Sequence, residues 1–227
     1  MNRARSMDLN CDMGEGFSHD EQIMAFVTSA NIACGGHAGD ATSMLRAVRL
    51  ASARGVRIGA HPSLPDRDGF GRRELAVRPE ELEVEIGRQI AALQRVAHSL
   101  GVRLSHVKPH GALYNMAARD PVIGTAVVHA VLRATEASPG GPIALYALAG
   151  SPLVGIARAA GIATAEEAFA DRGYGNDGSL APRGSPGALI ADPREVAARA
   201  AHGPGRKRDF PFGLRCPRPR GQHLHPW

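Results

Sequence analysis

VRIGAHPSLPDRDGFGRRELAVRPEELEVEIGRQIAALQRVAHSLGVRLSHVKPHGALYN, from Val56 to Asn115, reads as strand, polar loop, helix, strand and polar loop. The apolar run Val56–Ala60 is a strand candidate that stops at His61 and Pro62. The helix expected over Pro79–Leu100 has proline at its first position and Glu80, Glu81 and Glu83 near its positive end. Gly101 stands where a terminating glycine belongs. Leu82, Ile86, Ile90, Leu93, Ala97 and Leu100 recur at helical spacing and form a stripe that would pack on a sheet. Val102–Val107 is the next strand candidate, and HVKPHGALYN follows it at once. A strand, a crossover helix and a strand predict parallel pairing with right-handed connection.

The same alternation extends in both directions. Further strand candidates are Met7–Leu9, Ile32–Ala33, Ile143–Leu148, Ile162–Thr164 and Ala188–Ile190, and further helices are expected near Asp20–Val27, Ala41–Arg54, Asp120–Ala137 and Ser151–Ala160. Seven strand signals in one α/β domain favour a β/α barrel, closed or nearly so, over a doubly wound sheet. Either architecture gathers its functional groups at the strand C-terminal ends. There the polar segments fall: DLNCDMGEGF (Asp8 to Phe17), SANIACGGHAGD (Ser29 to Asp40), IGAHPSLPDRDGFGRR (Ile58 to Arg73) and HVKPHGALYN (His106 to Asn115). Carboxylates, imidazoles and an amine placed after successive strands point to one pocket built from many loops, and so to an enzyme.

Composition narrows the classes. The chain's 227 residues suit one domain with a sizeable core, and aromatics at 4% leave Ala, Val, Leu and Ile to fill it. No apolar run approaches the ~20 residues that span a bilayer, and MNRARSMDLN lacks the apolar core of a secretory signal. A soluble cytoplasmic protein without a membrane partner is expected. Of 27 basic and 22 acidic residues, six and one fall between Gly203 and Trp227, so the body carries 21 of each and offers no nucleic-acid face. Cys11, Cys34 and Cys216 form no CxxC pair, and buried inert thiols are expected at the first two. The composition turns to Pro, Arg and Gly near Ala201. Residues 1–202 are read as the barrel domain and 203–227 as a disordered basic tail.

Asp12 and Glu15 follow the first strand among glycines that let the backbone approach a ligand closely. His37 lies in ACGGHAGD, where Asp40 also suits a helix N-cap, and His61 follows the third strand. Asp12, His37 and His61 could hold a divalent metal as one carboxylate and two imidazoles, and a metal-free acid–base role is the equal alternative. Lys108 and His110 flank Pro109, one able to neutralise an anion and the other to move protons. Arg172 could clamp a carboxylate or pair with Asp171. Neither GxxxxGK[ST] nor GxSxG occurs, so no P-loop or nucleophile elbow is expected.

DLNCDMGEGF, TSANIACGGHAGD, IGAHPSLPDRDGFGRRE, HVKPHGALYN and EAFADRGYGNDGSLAPR together resemble the LamB/YcsF family, which includes the A subunit of bacterial 5-oxoprolinase. The resemblance runs from about Met7 to Asp192, with Ser18 standing where the family usually has glycine. It implies a polysaccharide-deacetylase-type β/α barrel and ATP-dependent opening (with magnesium) of the 5-oxoproline lactam to glutamate, together with subunits B and C. It also implies a pocket lined by Asp12, Glu15, His37, His61, Lys108 and His110. Asp12, Glu15, Lys108 and His110 are expected to be catalytic, and His37 and His61, with Asn31 and Arg172 from outside that set, are expected to bind substrate. A stand-alone metal-dependent deacetylase is the alternative, and a carrier or regulator without turnover a third. Beyond about Ala201 the resemblance ends: the family's last strand, with its Cys-Val-His-Gly-Asp segment, has no counterpart, and the tail looks like a reading frame out of register. An exposed sheet edge and poor solubility or partial activity are the expected consequences.

Overall fold

The computed structural model describes residues 7–138 and 141–202, in two compact units, 7–165 and 166–202. In chain order the elements are β1 (Asn10–Met13), α1 (Asp20–Ile23), β2 (Ser29–Ala33), α2 (Ala41–Ala53), β3 (Arg57–His61), α3 (Pro79–Ser99), β4 (His106–Val107), α4 (Gly111–Arg119), α5 (Pro121–Glu136), β5 (Ala144–Leu148), α6 (Pro152–Ala159), β6 (Thr164–Glu167) and α7 (Pro193–His202). The strands form one six-stranded sheet in the order β1-β2-β3-β4-β5-β6, and β1 to β5 pair in parallel.

This is the β/α barrel architecture expected, with six strands among the described residues and with β1 and β6 as the two ends of the sheet. The sheet curls. Flat, it would hold β1 and β5 about 19 Å apart, yet Tyr146 of β5 donates its hydroxyl to Asp8 Oδ2 beside β1 at 2.7 Å. Lys108, just past β4, likewise reaches Asn10 Oδ1 of β1 at 2.9 Å. Such bonds require the sheet to wrap round a common interior.

Strand alternation then divides polar from apolar. Ala30, Ile32, Ile58, Ala60, Val107 and Leu145 are buried in the core that the helices cover. The α3 stripe of Leu82, Ile86, Ile90, Leu93 and Ala97 is buried as expected, each large side chain contributing about 1.5–3 kcal/mol. Residues of the other parity, Asn10, Asp12, Asn31, His61 and His106, bond to one another inside the curl, and Ser29 bonds to Asp8. At the strand N-terminal ends Asp8 accepts hydrogen bonds from Ser29, Thr28, Arg57 and Tyr146. Burial opposes its ionisation, but these donors outweigh it and lower the Asp8 pKa.

Four local expectations change. The first strand is Asn10–Met13 rather than Met7–Leu9, because the interior it faces is polar. The first helix ends at Ile23, short of Val27, and HGALYN opens helix α4 instead of staying a loop. In the second unit Ala188–Ile190 forms no strand, and Leu189 makes only an isolated antiparallel bridge to Arg172. Residues 203–227 lie outside the described residues.

Candidate active site

The C-terminal ends of β1, β3 and β4 and the loops after β1, β2 and β3 bring six side chains together. His61 ends β3, and its Nδ1 donates to the Lys108 carbonyl at 2.7 Å. That bond places a proton on Nδ1, and Nε2 lies 3.2 Å from Asp12 Oδ2. His110 caps α4, and its Nε2 donates to the Phe70 carbonyl at 3.0 Å. Its acceptor nitrogen Nδ1 therefore faces His61 Nε2 at 2.9 Å and Glu15 Oε1 at 3.5 Å. His37 lies flat against the His110 ring, 3.6 Å between centroids, with Nε2 at 2.8 Å from Glu15 Oε1.

Loop geometry makes this possible. Phe70 takes φ of 55°, a left-handed backbone that a bulky residue rarely adopts, and its carbonyl is the acceptor that orients His110. At Gly71, φ is +65° and a Cβ would come within 2.8 Å of the His37 Cβ. Asp66 ties the same loop together, accepting from the Gly69 amide at 3.0 Å and from Arg73. Asp40 forms the expected N-cap of α2, in a reciprocal capping pair with Ser43.

The electrostatics favour the neutral form of two of these imidazoles, His110 and His37. Burial, aided by His61 and His37, pushes His110 down to about 2. Burial also lowers His37. Asp12 is the opposite case. Burial would raise its pKa, but His61, Lys108 at 3.9 Å and an Asn31 hydrogen bond hold it well below the carboxylate range. Burial raises the Cys11 and Cys34 thiols to about 11 and about 12, which suits inert packing.

Glu15, His37, His61 and His110 offer ligand atoms that all lie within 4.8 Å of one another. His61 Nε2 and His110 Nδ1 face each other with a carboxylate oxygen alongside, and that placement calls for a proton or a cation between them. His37 Nδ1 is buried with no hydrogen-bond partner among the described residues. The donor set fits a divalent metal. It contains His37 and His61 of the expected triad, while Glu15 and His110 join them and Asp12 stands beside His61.

Asn31 is fully buried, donating to Asn10 and Asp12 and accepting from His106. Arg172 belongs to the second unit, where its guanidinium donates to the carbonyls of Ala188 (3.0 Å) and Ala181 (2.6 Å). Asn10, Phe70 and His106 escaped the sequence reading. A polar period of two inside β1, β2 and β4 was the available signal for Asn10 and His106, and nothing local marks Phe70.

The profile of the LamB/YcsF family matches residues 7–204. The chain belongs to the LamB/YcsF family. Among LamB/YcsF relatives, the 5-oxoprolinase A subunit of Methylococcus capsulatus is 53% identical over 202 residues, covering 87% of this chain and 76% of that protein. The protein of the same name from Bordetella pertussis is 49% identical over 199 residues, covering 86% and 77%. A crystal structure of a lactam utilization protein from Thermus thermophilus superposes with a TM-score of 0.80 at 45% identity, covering 87% of this chain and 80% of that one.

Proposed function

We propose that this chain is the A subunit of an ATP-dependent 5-oxoprolinase, a hydrolase that opens the cyclic amide of 5-oxoproline to L-glutamate together with subunits B and C in the cytoplasm. The single observation that carries the proposal is the convergence of Glu15, His37, His61 and His110 beside the Asp12–Lys108 pair. Membership of the family and relatives named for this activity support it.

A lactam carbonyl is a poor electrophile. Transfer of the ATP γ-phosphoryl group to its oxygen, with magnesium, leaves ADP and an activated carbon. Water adds to that carbon and the carbon–nitrogen bond opens as the nitrogen takes a proton, leaving an acyl phosphate, which a second water hydrolyses to the carboxylate and phosphate. Lys108 sets a positive charge beside Asp12, suited to the substrate carboxylate or to negative charge developing on oxygen. Asp12 or Glu15 would take the proton of the attacking water. His110, neutral and tied to Phe70, serves as an acceptor rather than as an imidazolium. His37 and His61 line the pocket and orient Glu15 and Asp12 respectively. A divalent cation held by Glu15, His37, His61 and His110 would supply Lewis-acid polarisation of the carbonyl oxygen. That donor set also favours a second reading, a stand-alone metal-dependent deacetylase needing neither ATP nor partners.

The deciding experiment is glutamate release from 5-oxoproline with purified B and C subunits, with and without ATP. Turnover that needs both this chain and ATP is the expected result. ATP-independent deacetylation by the chain alone would replace the lactamase reading with the second.

A further inference from the structure

Four residues share one register row across the sheet: Asp12 pairs with Asn31, Asn31 with Gly59, and Gly59 with His106. The middle position is glycine for a steric reason. A Cβ on Gly59 would lie 2.1 Å from His106 Nε2. With no side chain there, the His106 ring from β4 crosses β3 and reaches Asn31 Oδ1 of β2 at 2.8 Å. The ring is held by Tyr146, stacked at 4.1 Å, and by Ser105 Oγ, 2.8 Å from Nδ1. His106 is 1% exposed.

The hydrogen-bond directions follow from chemistry. Asn31 must present Nδ2 to Asn10 Oδ1 (2.8 Å) and to Asp12 Oδ1 (2.9 Å), since a carboxylate only accepts. Its Oδ1 then faces His106, which must donate through Nε2–H; Nδ1 is left to accept from the Ser105 hydroxyl at 2.8 Å, the shorter of that hydroxyl's two contacts, the other being the Ile58 carbonyl at 3.1 Å. An Asn31 amide turned over would set oxygen against the Asp12 carboxylate. We propose that His106 is a positioning residue, which locks the Asn31 amide so that its nitrogen holds the Asp12 carboxylate beneath His61. His106 acts through Asn31 and contacts neither Asp12 nor the cluster of Glu15, His37, His61 and His110.

The test uses the full 15N-labelled chain. Long-range 1H–15N correlation should show His106 as the neutral Nε2–H tautomer, and the Asn31 side-chain NH2 protons should exchange slowly with solvent. An Nδ1–H tautomer, or rapid exchange of those protons, overturns the proposal without any variant and independently of any substrate. In H106L the Asn31 NH2 signals should shift and lose protection, and in H106Q, which keeps a donor at the same reach, they should retain it. Unchanged Asn31 signals in a folded H106L would equally sink it. A second arm rests on the lactamase reading. In the assembled enzyme H106L should lower kcat by about 10–100-fold with KM unchanged, and H106Q should recover most of it. If the wild-type assembly shows no turnover, that reading fails while the tautomer and exchange results still decide the role of His106.

Discussion

His61 Nε2 and His110 Nδ1 stand 2.9 Å apart, the other nitrogen of each ring donating to a backbone carbonyl, that of Lys108 for one and Phe70 for the other. Two ring nitrogens so placed need something positive between them, a proton or a cation.

A divalent metal is the first candidate, and its binding should be visible as stability. Saturating Zn²⁺ should raise the melting temperature, since a ligand at a hundredfold excess over Kd adds about 2.7 kcal/mol to the folded state. H61A and H110A should each abolish the rise. Isothermal titration and thermal scans in chelator and in Zn²⁺ would check this, and an unchanged transition in the wild-type chain would refute metal binding.

Lys108 and His110 should matter to turnover. Lys108→Ala removes the cation beside Asp12, and His110→Ala removes the ring between Glu15 and His61. Each should lower kcat/KM of the assembled enzyme by about 100-fold or more. Near-full activity in either variant would remove that residue from the catalytic assignment.

Acid should destabilise the fold from near neutrality downward. Burial lowers His106 to about 3 and His110 to about 2. Both groups have folded pKa values below the unfolded value of about 6.5, so the unfolded chain binds more protons between those limits. Stability is complete above about 6.5 and falls with pH at roughly 1.4 kcal/mol per unit for each histidine, in metal-free protein. Urea midpoints measured in chelator from pH 8 to pH 4 should therefore decline, and a flat profile would contradict the buried neutral assignment.

Gly59→Ala should be disproportionately costly for a one-carbon change. Its Cβ would meet His106 Nε2 at 2.1 Å in a ring confined by Tyr146, and overpacking of this kind costs about 1–3 kcal/mol. Chemical denaturation would measure it, with Gly55→Ala, which has open space at its Cβ but a left-handed backbone, as a comparison of pure backbone strain.

The helices with amphipathic stripes were legible, α3 above all, because periodicity and end signals agree along one continuous stretch. So were the candidate residues that converge, since polar groups after apolar runs mark strand ends. The strand β1 was misplaced because NCDM faces a polar interior and carries little apolar signal. Helix α4 was hidden for a related reason. HGALYN begins with a site histidine, and its buried Leu113 and Tyr114 show helical packing only once α5 and α6 lie against them.

The order of residues was enough for the alternating architecture, the family and the set of groups offered to the pocket, because these depend on local periodicity and on short ordered strings. Which groups meet was left to the curl of the sheet. Asp12, His61 and His110 are far apart in the chain, and their contacts depend on strand register and on how tightly the sheet wraps. Likewise the tautomers of His61, His106 and His110 are set by carbonyls and amides on other strands and loops, so only the folded chain decides which nitrogen faces the site.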